Sequence, residues 1–406
     1  MADFLTINSG RARVIVTVED DSFVTLITET DGAHVAAYIP EEHGIVTALG
    51  NTAERDQGFL EVPNLDDWSK RLRDNTFGIK ESTGAGITYA SPEDTSDSRL
   101  NIKNDWYSVQ NYLLYGGSAI VGFTASDYQS KSIDSVFCTS SAVADVNATL
   151  AVPSSRGGDC VAIVPAGGTG SSFALDFVPT IGDSEFAEHK IAVYGKKVHL
   201  GFERKSSISD ISSDLIETHC SADVAGCLAR TDTRFQPFFS PAGFTRGRIL
   251  DVVKLKHTLT QANQDTCYDA GVNPIVTFPG EGTFLFGDKT FKATTSTLSR
   301  INVSRLFITL KKDIGRIARS ILFEQNDTET RTNFVSRASA VLRGIQADRG
   351  IFDFRVVCDE TNNPPEKAEA NIFVADVFVK PIKSINFIQL TFTNKNQDAD
   401  LGSSPA

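Results

Sequence analysis

The stretch from Asn302 to Leu322, NVSRLFITLKKDIGRIARSIL, has the clear period of a helix. Its apolar residues recur at steps of three and four, the spacing of an amphipathic helix with one buried face: Val303, Leu306, Phe307, Leu310, Ile314, Ile317 and Ile321. The other face carries five basic residues, which form the most concentrated positive stripe in the chain: Arg305, Lys311, Lys312, Arg316 and Arg319. The pattern therefore predicts a long helix that packs against a core and could offer a basic face to an acidic partner.

The residues after this helix predict a second helix and then strands. Asn326-Asp327 can cap a helix that continues to about Gln346, with its buried side formed by Phe334, Ala338, Val341, Leu342 and Ile345. Strands are predicted at Phe352 to Cys358, at Phe373 to Lys380 and at Ser384 to Thr393, whereas Asn394 to Ala406 is polar. Helices mixed with strands indicate an α/β or mixed α+β fold.

The residues before this helix continue the same alternation. Arg11 to Asp20, RARVIVTVED, alternates apolar and polar residues and predicts a strand-like arm. Further on, Asn104 to Tyr115 predicts a helix that Gly116-Gly117 stops, and Cys160 to Val164 predicts a buried parallel strand. Tyr128 to Gly158 has little periodicity, which predicts a loop or a small surface insertion.

Two segments after residue 200 complete these predictions. Ser212 to Ala229 has a helical pattern. Arg248 to Lys256 fits a strand and a helix equally well, because its apolar residues have a spacing that both allow.

Composition limits the classes of function. The length of 406 residues predicts two to four domains, or one large domain with insertions. The composition, with 41% hydrophobic and 22% charged residues, is that of folded soluble proteins. A net charge of −12 argues against general binding to nucleic-acid phosphates. This charge is uneven, because residues 271–406 contain 17 basic and 15 acidic residues, whereas the first 270 contain 22 and 36. Such an asymmetry suggests that the two parts face different surroundings.

Cysteine usage and hydropathy indicate a chain that works in a reducing compartment. Six cysteines are spread thinly over the chain, which predicts free thiols rather than a disulfide framework. We expect no signal peptide, because the first residues lack an apolar core after a basic start, and no membrane insertion, because no run of about 18 apolar residues occurs.

Motifs that could carry chemistry are weak. Gly282 to Thr290, GTFLFGDKT, nearly matches a phosphate-binding loop, but Asp288 places a negative charge where phosphate would lie, so a hairpin and turn are predicted. The glycines of Ala166 to Gly170 lack dinucleotide-loop spacing and predict a turn. His219, Cys220 and Cys227 lack a fourth zinc ligand, and buried thiols explain them better. We therefore expect no catalytic residues, no metal and no cofactor.

Seven blocks in the second half of the chain resemble the tail sheath proteins of contractile-tailed (myovirus) bacteriophages. They occur in the same order as in that family and span roughly residues 209 to 394: ADVAGCLARTD (222–232), SPAGFTRGRIL (240–250), AGVNP (270–274), LFGDKT (285–290), RINVSRLF (300–307), FDFRVVCDETNN (352–363) and KPIKSINFIQLTF (380–392). The first half resembles the family only in outline, through the helix, the Gly-Gly pair and the strand at Asn104 to Phe123.

The resemblance implies a multi-domain sheath fold with four parts. These are an N-terminal linking arm (1–22), an outer α/β domain (23–270) with a small insertion near 125–158, a C-terminal α/β domain facing the tail tube (271–383), and a C-terminal linking arm with a tail (384–406). The resemblance also implies that strands of the two arms add to sheets of neighbouring subunits. The residues expected in these strands are Arg13, Val14, Val16, Val18, Ile385, Phe387, Leu390 and Phe392.

The same resemblance implies a structural role without catalysis. Subunits of this family stack as hexameric discs around a tail tube, and their contraction drives the tube through the host envelope. The implied partners are further copies of the chain, the tube protein, and baseplate and tail terminator proteins, in a virion tail assembled in the host bacterial cytoplasm. The five basic residues of the first helix are then candidate tube contacts. A sheath subunit of a contractile bacteriocin or injection machine is the alternative.

Overall fold

The structure is a computed structural model, and it describes most of the chain outside the two ends. The described residues are 15–18, 23–26, 34–39, 45–74, 82–83, 86–87, 98–122, 133–167, 172–175, 178, 185–204, 211–293 and 296–385.

Strands and helices are mixed throughout the described residues, which confirms the α/β expectation. The strands are β1 (Ile15–Val18), β2 (Phe23–Leu26), β3 (His34–Tyr38), β4 (Leu60–Val62), β5 (Ser82–Thr83), β6 (Gly86–Ile87), β7 (Ala119–Val121), β8 (Ile133–Cys138), β9 (Val161–Pro165), β10 (Lys190–Tyr194), β11 (Lys196–Arg204), β12 (Ile211–His219), β13 (Lys254–Leu255), β14 (Val272–Phe278), β15 (Gly282–Leu285), β16 (Ile351–Val357) and β17 (Asp376–Pro381). The helices are α1 (Ile45–Leu49), α2 (Thr52–Gln57), α3 (Leu65–Asp74), α4 (Ser98–Leu113), α5 (Val143–Ser155), α6 (Ser221–Arg234), α7 (Gln261–Asp269), α8 (Ile301–Ser320), α9 (Thr328–Ala347) and α10 (Pro365–Glu369).

A sheet of eight strands, in the order β15-β14-β10-β9-β8-β3-β7-β4, forms the centre of the molecule. Its inner strands pair in parallel, whereas β4 at one edge and β15 at the other pair antiparallel with their neighbours. Every residue of β9 and β10 is buried, which explains why Cys160 to Val164 is a continuous apolar run. The predicted buried parallel strand at this place is confirmed.

The predicted surface insertion near residues 125–158 is wrong for its described part. β8 lies in the middle of the large sheet, where it pairs in parallel with β3 and with β9. Helix α5 follows it and packs against β9. The sequence hid these elements because serine and aspartate interrupt the strand pattern and Pro153 stands inside the helix. Tertiary burial overrides these local preferences, since Val136, Phe137 and Thr149 are all buried.

The helical pattern assigned to Ser212 to Ala229 is wrong in its first part. Residues up to His219 form β12, which pairs antiparallel with β11 over nine residues, and α6 begins only at Ser221. A long strand that faces a partner strand of equal length gains a full ladder of hydrogen bonds, which outweighs a weak helical period. Of Arg248 to Lys256, only Lys254–Leu255 is a strand, β13, which joins β11.

Helix α4 ends where the sequence predicted. Gly116 and Gly117 both have positive φ, 84° and 124°, a conformation in which glycine avoids the strain of a side chain. The chain then reverses into β7, which pairs in parallel with β3. The helix, glycine pair and strand are therefore confirmed.

The C-terminal unit consists of α8, α9 and a separate two-stranded sheet, β16 and β17. The two helices pack against each other and against the sheet around a shared apolar core that includes Leu306, Leu310, Ile314, Ile317, Phe334, Ala338, Leu342, Ile345 and Ile351. Asp327 caps α9 by accepting a hydrogen bond from the backbone N of Thr330 at 2.8 Å. Both predicted helices and the strands at 352–358 and 373–380 are confirmed within a few residues.

The expected boundary between residues 270 and 271 runs through the large sheet. β14 pairs in parallel with β10, and β15 forms a hairpin with β14, so residues 272–285 belong to the central sheet. A division that respects the sheet falls between Leu285 and Ile301. The division of the chain into domains with an outer and a tube-facing role stays a prediction.

Candidate interaction surfaces

The basic face of α8 is largely turned inward, which corrects the expected single exposed stripe. The Arg305 guanidinium is buried and pairs with the Asp232 carboxylate of α6 at 2.5 Å. The Lys311 Nζ is also buried and donates to the backbone oxygen of Gly157 at 2.9 Å. Burial lowers the pKa of Lys311 to about 8. These two cations hold α8 against the rest of the subunit instead of facing a partner.

The remaining three basic residues lie further towards solvent. Lys312 is half-buried, and its Nζ pairs with the carboxylate of Asp134, on β8, at 2.6 Å. Arg316 has a side chain that is 74% exposed and lies 3.3 Å from the carboxylate of Asp313. Arg319 is half-buried near the end of the helix. Of the five predicted contacts, Arg316 is therefore the one presented most openly.

Phe323 lies just after the end of α8, and sequence reasoning missed it. Its side chain is 91% exposed, and its φ of 71° lies in the left-handed region. Both features cost free energy, because water contacts an aromatic ring and a side chain occupies a conformation that favours glycine. Strain of this kind is concentrated at functional sites, so Phe323 is a candidate contact residue. The available signal was an apolar residue in the turn between two predicted helices.

The β16–β17 sheet has one covered and one open face. Val356, Val377 and Val379 pack towards α9 and its core. On the open face, the side chains of Phe352 and Phe378 are 73% and 58% exposed. Among the described residues no third strand pairs with this sheet. A two-stranded sheet is marginal in water, and exposed strand edges invite further strands.

The predicted arm strands are only partly within the described residues. β1, which contains Val16 and Val18, pairs antiparallel with β2 of the same chain, and it lies beside α8. Ile385 is 82% exposed and follows β17 by four residues. Arg13, Val14, Phe387, Leu390 and Phe392 lie outside the described residues. The strand at 15–18 is confirmed, whereas its addition to a neighbour's sheet stays a prediction.

The candidate zinc ligands His219, Cys220 and Cys227 are buried, as are the other cysteines and His189. All six cysteines are free and buried, and burial raises the pKa of the Cys138 and Cys227 thiols to about 12. Burial likewise lowers the pKa of His189 and His219 to about 3, so both imidazoles are neutral near pH 7. Within the described part of the chain, no group of three or more His, Cys, Asp or Glu side chains could hold a metal ion. These groups behave as parts of the core.

The near-match to a phosphate loop is a hairpin, as the sequence predicted. β14 and β15 pair antiparallel with Phe278 opposite Gly282, and Gly280 in the turn has a φ of 81°. Asp288 follows the hairpin in a buried position.

No helix among the described residues is both long and apolar enough to cross a membrane.

Comparison with known proteins agrees with the resemblance to tail sheath proteins that the sequence shows. Residues 293–395 match the family model of the phage tail sheath C-terminal domain. Over 180 residues, or 44% of the chain, the sequence is 51% identical to the tail sheath protein of Vibrio phage KVP40 and 44% identical to that of Enterobacteria phage T4. The resemblance to contractile tail sheath proteins is confirmed.

The matched segment spans 27% of the length of each of these two tail sheath proteins. The fold agrees over much more of the chain with sheath subunits of injection systems. The contracted sheath of the extracellular contractile injection system PVC matches with a TM-score of 0.63 at 15% identity, covering 95% of this chain and 99% of that one. The contracted helical sheath of the anti-feeding prophage matches with a TM-score of 0.61 at 14% identity, covering 94% and 98%. The chain therefore has the fold of a contractile sheath subunit.

Proposed function

We propose that this protein is a structural, non-enzymatic subunit of a contractile bacteriophage tail sheath. In this role it polymerises as stacked hexameric discs around a tail tube, and its contraction drives the tube through the host envelope. The observation that carries the proposal is the combination of 51% identity to a phage tail sheath protein in one segment with a sheath fold over 95% of the chain.

The open β16–β17 sheet supports assembly through exchanged strands. Its exposed aromatic side chains, and edges that no other strand of the described residues joins, suit completion by strands from neighbouring copies. The strands expected to be exchanged are those of the N-terminal arm (1–22) and the C-terminal arm (384–406). Each added strand would pair with the backbone groups at the edge it joins and place its side chains beside Phe352 or Phe378.

For the contact with the tail tube, we propose a narrower set of residues than the whole basic stripe. Arg316, Arg319 and Phe323 lie at the open end of α8, whereas Arg305 and Lys311 are held inside the subunit. Exposed ion pairs are individually weak, about 0–1 kcal/mol, but many copies along a tube add up. Such a grip can be held in the extended state and released on contraction.

The other partners and the location follow from the same proposal. The sheath would contact baseplate and tail terminator proteins at its two ends, and it would form in the host cytoplasm and act in the virion tail. The proposed assembly requires no nucleic acid, membrane insertion or cofactor.

A sheath subunit of a contractile bacteriocin or injection machine is the second candidate. It is favoured by the fold shared with the PVC and anti-feeding prophage sheaths. Genes for capsid and terminase proteins beside this gene would support the phage sheath, and their absence beside an intact contractile cluster would support the alternative.

Negative-stain electron microscopy of the purified chain, with and without tail tubes, tests the proposal. We expect hollow ridged cylinders from the full chain, and we expect them to disappear when residues 1–20 are deleted. Monomers or small closed oligomers from the full chain, even in the presence of tubes, would reject the sheath function.

The tube contact has its own test with a matched control. Arg316→Glu should reduce the fraction of extended sheath that sediments with tubes, because the charge at an exposed contact is reversed. Arg343→Glu changes an exposed arginine on α9 and should leave sedimentation unchanged. Equal sedimentation of the two variants would remove Arg316 from the contact.

A further inference from the structure

Three hydrogen bonds hold the chain just after β17, at Ile382 and Ser384. The backbone N of Ile382 donates to the oxygen of Gly350 at 3.1 Å, and the Ile382 oxygen accepts from the Asn302 side chain of α8 at 3.1 Å. The Ser384 hydroxyl then donates to the Asp288 carboxylate at 2.5 Å. Ile382 and Ser384 are thus tied by three hydrogen bonds to the start of β16, to α8 and to the loop after β15.

Asp288 is well placed to act as a fixed point. Its backbone oxygen accepts from the backbone N of Ile301 at 3.3 Å, and the neighbouring Thr290 N donates to the Ser299 oxygen at 3.1 Å, so its loop is bound to the beginning of α8. Burial raises the pKa of Asp288 to about 6, so the carboxylate is charged above that pH. A hydrogen bond to a charged carboxylate is stronger than one between neutral groups.

These hydrogen bonds give Asp288 a structural role that the sequence motif did not suggest. In the near-match to a phosphate-binding loop, Asp288 is the residue whose negative charge argues against phosphate binding. In the structure, its carboxylate instead accepts a hydrogen bond from the hydroxyl of Ser384, which lies 96 residues later in the chain. The next residue, Ile385, is exposed to solvent, as Ile382 and Lys383 are, so the hydrogen bonds of Ile382 and Ser384 hold a segment that otherwise lies open.

We propose that Asp288, Asn302 and Ser384 form an anchor that fixes the place and direction in which the C-terminal arm leaves the subunit. This inference rests on the proposed sheath function and identifies positioning residues for the strand that is given to a neighbouring copy. Fixing the root of an arm lowers the entropy lost when the arm binds, because fewer orientations have to be excluded. The anchor would thus favour binding to a neighbour without contacting it.

Ser384→Ala in the full chain tests the anchor. It removes the hydroxyl donor, whereas Ser384→Thr keeps it and should behave like the wild type. Ser155→Ala is the matched control, because it removes a serine hydroxyl that bonds to a backbone oxygen, that of Val152, within α5. Two readouts are needed: hydrogen exchange of the amides at 382–385 in the free subunit, and the fraction of subunits assembled on tail tubes.

We expect Ser384→Ala to exchange about tenfold faster at residues 382–385, as follows from losing a hydrogen bond to a charged group. Assembly on tubes should also decrease several-fold, while the melting temperature stays within a few degrees of wild type. Ser384→Thr and Ser155→Ala should match the wild type in both readouts at these positions.

Unchanged exchange and assembly in Ser384→Ala, with normal wild-type sheaths, would overturn the anchor and leave the sheath function standing. Faster exchange with unchanged assembly would also overturn it, because the arm would then not need a fixed root. Failure of the wild type itself to assemble on tubes would reject the sheath function instead. The two proposals therefore fail in distinguishable ways.

Discussion

The central eight-stranded sheet and the C-terminal β16–β17 sheet differ in how much apolar surface they leave open to solvent. The large sheet ends in antiparallel pairs formed by its own chain, and the Lys197 and Asp223 side chains beside it are paired at 2.8 Å while fully buried. The small sheet instead presents Phe352 and Phe378 to solvent. The first unit thus satisfies its buried charges within one chain, whereas the second leaves aromatic side chains exposed, which we propose are covered in the assembly. Four experiments can break or sharpen this contrast.

The largest effect is expected in the complete unit, from Lys197→Met. The lysine Nζ donates to the carboxylate of Asp223 and to the oxygen of Leu250, so its removal leaves a buried carboxylate without its cation. We expect the free energy of unfolding to fall by about 3–5 kcal/mol in chemical denaturation. Lys254→Met, at an exposed position of β13, should stay within about 0.5 kcal/mol of wild type. Equal effects of the two substitutions would show that the buried Lys197–Asp223 pair does not stabilise this unit as described.

The free energy of unfolding is expected to depend on pH because Lys311 is buried. Its pKa of about 8 in the folded subunit is below the usual value of 10.5, because burial disfavours the charged form. Between these pH values the unfolded chain binds more protons than the folded one, so the free energy of unfolding should rise with pH, by up to about 3 kcal/mol. The contribution of Lys311 to this rise is obtained by comparing the free energy of unfolding of the wild type, at each pH, with that of Lys311→Met, which lacks this titrating group. Parallel pH profiles of the two proteins would show that Lys311 is not buried as described.

The open face of the small sheet should matter to assembly far more than to the isolated subunit. Because Phe352 and Phe378 are exposed, replacing both by serine should change the free energy of unfolding by less than about 1 kcal/mol. The same change should raise the subunit concentration needed for sheath formation, measured by sedimentation. Phe334→Ala, in the buried core of α9, should instead cost about 3–5 kcal/mol of stability. Unaltered assembly of the double variant would indicate that this face is not an interface.

The smallest effect on stability is expected at Phe323. Glycine accepts a φ of 71° without strain, so Phe323→Gly should leave the free energy of unfolding unchanged or raise it by up to about 1 kcal/mol. If the residue contacts the tube, the same variant should form fewer extended sheaths on tubes in electron micrographs. A gain of stability with loss of function would identify strain retained for binding, whereas wild-type sheath yields would exclude that role.

The sequence predicted the elements that have a strong local signal. The apolar period of 302–322 and the capping Asp327 predicted α8 and α9, because a helix shows its buried face every three to four residues. The run at 160–164 predicted a strand buried on both faces. In contrast, β8 and β12 were missed, because polar residues interrupt their patterns and long-range pairing with β3, β9 and β11 stabilises them.

The candidate surfaces were only partly predictable for the same reason. The basic residues of α8 are visible in the sequence, but their partners Asp232, Asp134 and Gly157 come from other elements, far away in the chain. No local pattern could tell that Arg305 faces inward while Arg316 faces water. The exposure of Phe323 and Phe378 also depends on what surrounds them.

The sequence by itself determined the helical periods, the α/β alternation, the dispersed free thiols and the resemblance to contractile sheath proteins. Only the tertiary structure decided which charges became internal ion pairs, which strands entered the large sheet, and where the C-terminal arm is anchored. The physical reason is the range of the interactions involved. Helical periods and turns depend on residues a few positions apart, whereas burial and pairing depend on residues that folding brings together, as Ser384 and Asp288 show across 96 positions.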